Sequence, residues 1–290
     1  MAIKLVAILF VLLACRGLPE LVRLRNFAWW REWLDKVGRS STVAVFAFGL
    51  AAPILLCALI QIAVHGTLFG LIALAFAAVV LYLCWGPRDL ERDVEAIAKA
   101  PDSERRAAAL QALRADGAAV DVAFAGEALI EATFAAALKR WFGVLFWFTV
   151  LGPAGALLYR LAQLLAYAPD YTRDRPAAQQ EAAQRLALAL DWAPAHLMAL
   201  SLALASNFDA VFKTWRDYHK AHGKGYFCLD LGFLPAIGRA SVDADVAAEE
   251  SGQDAHSPLV ALEDAMVLVR RVAVVWLTLI ALIVLGNWSS

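Results

Sequence analysis

A chain of 290 residues that is 61% hydrophobic and only 18% charged, with mean hydropathy +0.61, lies far from the soluble average of roughly half apolar and a quarter charged. Its formal net charge of -1 gives no general electrostatic case for nucleic acid, which requires a clustered basic surface. Four cysteines without a CxxC pair indicate neither a disulfide framework nor a zinc site, and ten tryptophans suit indoles placed between headgroups and acyl chains.

Taken in chain order, the first apolar run is Met1 to Cys15, a short candidate span over 1–15. Leu12-Leu13-Ala14-Cys15, with Lys4 as a minimal charged region, also loosely resembles a lipoprotein processing site, although a Leu at the second position of that box is atypical. Arg16 to Thr42 carries Arg16, Arg23, Arg25, Arg31, Lys36 and Arg39. Val43 to Val64 and the run beginning at Thr67 follow, spans over 43–64 and 67–85 closed into a hairpin at His65-Gly66, each near the roughly 20 residues that cross about 30 Å of hydrocarbon. Gly86 to Arg140 holds eight more Lys and Arg. Within it Asp89 to Ala98 and Glu104 to Arg114 read as alanine-rich helices separated by Pro101-Asp102-Ser103.

Trp141 to Ala166 is apolar and long enough to cross, yet basic segments flank it on both sides. Leu151-Gly152-Pro153-Ala154-Gly155 at its centre breaks a helix, which predicts a re-entrant pair of half-helices over 141–166 whose freed backbone groups protein or water must satisfy. Beyond it, Ala178 to Leu190 and Ala195 to Ala205 read as two helices flanking an Asp191-Trp192-Ala193-Pro194 corner. His219 and His222 could share a helix face, but no third ligand is nearby in sequence to make a metal site. Ser241 to His256 is acidic and reads as a loop. Val272 to Leu285, extended to a span over 268–286, is preceded by Arg270-Arg271 and followed by Asn287-Trp288.

The fold class expected is all-α: a single polytopic membrane domain over 1–290, with about four transmembrane helices, a re-entrant broken helix and a helical cytoplasmic region. The helices over 86–140 and 167–267 are expected to be mainly cytoplasmic or interfacial. Lys and Arg concentrate in the loops after the first and third candidate spans, which places both in the cytoplasm and both termini in the periplasm of a bacterial inner membrane.

Leu145-Phe146-Trp147, then Gly152-Pro153-Ala154-Gly155-Ala156-Leu157-Leu158-Tyr159-Arg160, then Leu190-Asp191-Trp192-Ala193-Pro194-Ala195-His196-Leu197 resemble the signature run of the AmpE proteins, within the wider CobD/CbiB superfamily. The resemblance covers about Gly86 to Phe208. AmpE is the closer branch because its members also keep a bare Leu-Asp-Trp-x-Pro. The CobD/CbiB branch implies an enzyme that joins an aminopropanol-type amine to a corrinoid carboxylate. Of that branch's polar positions only the first Glu matches, as Glu131. The others fall on Ala135, Ala136, Lys139, Ala166, Ala187 and Leu188, while an Asn becomes Asp191 and an Arg becomes His196. Activating a carboxylate through a nucleotide needs acids to hold Mg²⁺, so the resemblance implies a kept fold with its amide-forming site largely lost.

The residues themselves leave alternatives side by side. Glu127 and Glu131 share a helical face and could hold a cation or share a proton, or be two solvated acids. Lys139 and Arg140 could grip an anion or snorkel to headgroups. Arg160 sits in an apolar half-helix, where an ionisable residue is a functional candidate, with Asp191 or Glu131 as its expected partner. Asp191 could equally cap the following helix. A ligand pocket of Glu131, Lys139, Arg140, Trp147, Tyr159, Arg160, Asp191 and His196 is therefore expected where the broken segment meets the Asp191 corner, with Trp147 and Tyr159 as its aromatic wall.

No catalytic residue, metal or cofactor is assigned. The expected partners are membrane lipids and a small anionic ligand such as a muropeptide or nucleotide, with a functional link to the amidase AmpD and none to nucleic acid. The function expected from the resemblance is a regulator or sensor tied to β-lactamase induction and cell-wall recycling. An amide-forming synthase acting on a carboxylate and a transporter of an anionic wall fragment stand as alternatives.

Overall fold

The computed structural model of the chain describes residues 2–17, 25–37, 41–64, 70–86, 89–114, 122–173, 175–223, 225–248 and 257–286. These residues are overwhelmingly helical, and no strand occurs among them. In chain order the helices are α1 (Ala2–Gly17), α2 (Ala28–Val37), α3 (Thr42–Ala63), α4 (Leu71–Cys84), α5 (Leu90–Ala98), α6 (Ser103–Arg114) and α7 (Gly126–Leu151). They continue with α8 (Pro153–Tyr167), the single turn α9 (Pro169–Thr172), α10 (Ala177–Ala205), α11 (Phe208–His222), α12 (Phe233–Ala248) and α13 (Pro258–Gly286). Four of them, α3, α7, α10 and α13, are long and apolar enough to cross a membrane, so the chain is an all-α, multi-pass membrane protein. The other two expected spans correspond to the shorter apolar helices Ile3–Cys15 and Leu71–Cys84. The His65-Gly66 turn and the Asn287-Trp288 end lie outside the described residues.

The chain divides into two units, one of Met1–Arg88, Gly143–Ala187 and Ile280–Ser290, the other of Asp89–Phe142 and Leu188–Leu279. In the first, α1 packs along α4, and α8 packs along α3, α4 and the Gly143–Leu151 half of α7. Its core includes Ile8, Val11, Trp30, Leu81, Phe148, Tyr159 and Leu161. The amphipathic α2 buries Trp30 and Leu34 against α3 at Val45–Ala51, a π-helical stretch whose wider turns leave carbonyls without their usual donors. Those carbonyls are met from outside the helix: Trp30 Nε1–H donates to Gly49 O at 2.8 Å and Trp33 Nε1–H to Phe48 O at 3.0 Å.

In the second unit, α5 and α6 pack together and against the start of α7, while α12 packs on α7 and α11. Phe134, Phe142, Leu113, Phe233 and Ile237 fill its core. Asp89 and Asp102 accept backbone N–H bonds at the starts of α5 and α6, the capping that Pro101-Asp102-Ser103 predicts.

Two local expectations need correction. The Asp191-Trp192-Ala193-Pro194 stretch is not a corner between helices but the interior of one, α10, with Pro194 inside it. Proline removes one helical bond there, yet Ala187, Leu190, Ala195, Met198, Ala199 and Leu202 are buried on both sides of it, and continuous packing keeps the helix intact. Asp191 is consequently not a helix cap. Likewise Ser241–Ala248 is not loop but the end of α12, where Ser241 bonds back to Ile237 O and Asp245 pairs with Arg271, so helix and counter-charge absorb the acidic sequence. Residues 249–256 lie outside the described residues.

Candidate functional site

The helix break falls where Gly152-Pro153 predicts it. Gly152 adopts φ 76° and ψ -155°, a conformation closed to residues with a Cβ, and α8 restarts at Pro153. The half-helix before it is not separate, since it continues back to Gly126 as α7 through a π-helical turn at Leu138–Phe142. In a membrane the groups freed by such a break need partners. Gln61 of α3 supplies two: its Oε1 accepts from Ala154 N–H at 3.2 Å and its Nε2–H donates to Leu151 O at 3.3 Å. Lys4 of α1 donates to Thr149 O at 2.8 Å, one turn earlier. The half-helices pack at glycine closeness: a Cβ on Gly155 would stand 2.2 Å from Trp147 O, and one on Gly143 would stand 2.1 Å from Tyr159 Cζ. Tyr159 is wholly buried in this hairpin, and Trp147 meets Phe146 edge to face at 5.1 Å.

Arg160 lies two turns into α8 and is 4% exposed. Its Nε–H donates to Cys84 O, the last carbonyl of α4, at 2.8 Å. Beside it stands Arg25, 8% exposed and not distinguished by sequence from the other basic loop residues. Arg25 donates to Gly86 O at 3.2 Å and Cys15 Sγ at 2.9 Å, and its guanidinium lies 4.4 Å from the centre of the Tyr82 ring. Both arginines line a recess of about 280 Å³ together with Asn26, Tyr171 and, at its edge, Asp170. The Tyr171 hydroxyl donates to Phe27 O at 2.8 Å, and burial pushes this phenol up to about 12.

The remaining candidates belong to the second unit. Arg140 is fully buried, ion-paired with Asp93 at 2.7 Å, and donates to the Ala112 and Leu113 carbonyls at the end of α6. That is a third role, neither ligand grip nor snorkelling, in which the cation also meets a helix C-terminus. Lys139 beside it is partly exposed. Glu127 and Glu131 are bridged by Arg239 at 3.0 and 3.2 Å, so an arginine occupies the position considered for a cation or shared proton. Asp191 is fully buried in α10.

His196 stacks against Trp192 at 4.3 Å and Phe233 at 4.7 Å, with Nδ1 2.7 Å from Trp192 O and Nε2 3.2 Å from Tyr226 O. A neutral imidazole can donate to only one of these carbonyls. His219 and His222 each turn Nδ1 to a carbonyl of their own helix, and no group of three His, Cys, Asp or Glu side chains suited to a metal ion occurs among the described residues.

The family profile described as CobD/Cbib protein matches residues 11–224. A "Cobalamin biosynthesis protein CobD" of Chromobacterium violaceum is 33% identical over 141 residues, 47% of this chain and 45% of that protein. One of Stutzerimonas stutzeri with the same description is 31% identical over 144 residues, 48% of this chain and 47% of its own length. The chain thus spans about half the length of the curated relatives it matches. No solved structure matches.

Proposed function

The chain belongs to the CobD/CbiB family, and from that premise we propose that it is a regulator or sensor of AmpE type in a bacterial inner membrane, linked to β-lactamase induction and peptidoglycan recycling, which has left the amide-forming chemistry of its relatives behind. The observation that carries this reading is what fills the positions where the resemblance places the synthase's polar groups. Ala136, Ala166 and Ala187 are buried, apolar and closely surrounded within their own units. Such positions offer nothing to a Mg²⁺-nucleotide. The retained acid, Glu131, is engaged with Arg239. Side chains that once served chemistry now serve packing, and what remains suits binding.

The ligand proposed for such a sensor is a small anion of the muropeptide or nucleotide kind, with a functional tie to the amidase AmpD. Deleting the gene in a strain with inducible β-lactamase tests the role: altered induction and altered muropeptide pools are expected, and both unchanged would contradict it. A second reading transfers cobalamin biosynthesis from the names of the relatives and is favoured by their identity of about a third over half the chain. Corrinoid auxotrophy in the same deletion strain would favour it.

A further inference from the structure

The recess between Arg25 and Arg160 is more than a helix cap. We propose that it binds the phosphate headgroup of an anionic membrane lipid, whose hydrocarbon tail lies in the apolar grooves that meet at Leu83. This inference stands apart from the regulatory reading and holds whether or not the chain signals.

Both guanidiniums are more than nine-tenths buried and line one small recess. The bland account is that they cap α4, since Arg160 bonds Cys84 O and Arg25 bonds Gly86 O at its C-terminal end. On the Arg25 fork, capping uses one donor of five. The partners of Arg25 are a carbonyl, a thiol sulfur and the face of Tyr82, all uncharged, and its Nε–H has no hydrogen-bond acceptor among the described residues. Two forked cations facing one cavity match the tetrahedral oxygens of a phosphate, which such forks bind with charge-assisted hydrogen bonds. The nearby carboxylate, Asp170, has a side chain 77% exposed and lies 4.0 Å from Arg31, so it rims the recess without filling it.

Leu83 lines this polar recess and two larger apolar grooves. One, of about 520 Å³, is floored by Cys57, Phe76 and Val80 and edged by Trp29 and Trp33. The other, of about 580 Å³, runs between α1 and α4 along Phe10, Leu74 and Val79. A polar recess opening beside apolar grooves at the end of a membrane helix fits an amphiphile whose head and tail part at Leu83. A soluble phosphate ester would use the recess and leave the grooves unused.

The test uses the full chain purified in a zwitterionic detergent and offered phosphatidic acid, phosphatidylcholine or glycerol 3-phosphate, with binding read by native mass spectrometry and thermal shift. Phosphatidic acid should be retained in preference to phosphatidylcholine, and Arg25→Gln should weaken it about tenfold or more. Leu83→Trp, which blocks the junction without touching charge, should weaken it comparably while preserving the melting curve of the lipid-free protein. Should Arg25→Gln fail to fold, Arg25→Lys and Leu83→Trp carry the same comparison. Equal retention of phosphatidylcholine, or full phosphatidic acid binding by folded variants at both positions, overturns the proposal. Glycerol 3-phosphate binding as tightly as phosphatidic acid overturns the lipid assignment.

Discussion

At the scale of single residues, the side chains that decide this structure are polar groups reaching across sequence to backbone left open by a helix end or break. Gln61 is the clearest. Its amide satisfies Ala154 N–H and Leu151 O on either side of Gly152. Gln61→Leu should leave both groups unpaired and lower stability by about 1–3 kcal/mol, measured by thermal unfolding in detergent; an unchanged melting curve would mean the break is satisfied by other means. Tyr171 gives a pH signature. Its folded pKa of about 12 lies above the ordinary tyrosine value of about 10, so the neutral phenol is the form that folding favours. Its contribution is therefore complete below about 10 and lost as pH rises from there to about 12. The tyrosinate absorbance difference between the wild type and Tyr171→Phe should rise near 12 and not near 10. Arg160 was legible in the sequence because an ionisable residue in an apolar run is conspicuous. Arg25 and Gln61 were not, because their partners lie far along the chain.

At the scale of elements, glycine and proline at one break and proline alone at another gave the same local signal with opposite outcomes. At Gly152-Pro153 the left-handed glycine turns the chain, and no side chain could stand there: a Cβ would come 2.9 Å from Gln61 Nε2. Gly152→Ala should cost about 1–3 kcal/mol from backbone strain alone. A circular-dichroism melt reads this directly, and a variant as stable as the wild type would show that the break has a second accessible conformation. At Pro194 no glycine accompanies the proline, and the apolar faces of α10 on both sides keep the helix running. Asp191 and Pro194 have the composition of a helix start, so local rules read a corner where tertiary packing made an interior. The acidic end of α12 was misread for a related reason, its counter-charge being Arg271 on another helix.

At the scale of the whole molecule, hydropathy found the helices that face outward. In the apolar windows of α3 and α13 only 22% and 33% is buried, against 56% in both α7 and α10. The first two read as clean lipid-facing spans. The other two carry Glu127, Glu131, Arg140, Glu181 and Arg185, whose charges are met by protein, as Glu131 is by Arg239, Arg140 by Asp93 and Arg185 by Glu181. Charge that the fold neutralises disguises a helix long enough to cross as a surface helix, whereas the all-α class depends only on the pervasive helical periodicity and survives that ambiguity.

The central claim is that this member of the CobD/CbiB family kept the architecture and left the amide-forming reaction. The most direct test incubates the purified chain with a corrinoid carboxylate, an aminopropanol-type amine, Mg²⁺ and ATP, and follows the amide by mass spectrometry beside the Chromobacterium violaceum relative as a control. No amide above the enzyme-free background is predicted. Amide formed at the control's rate, and abolished by Glu131→Gln, would contradict the account.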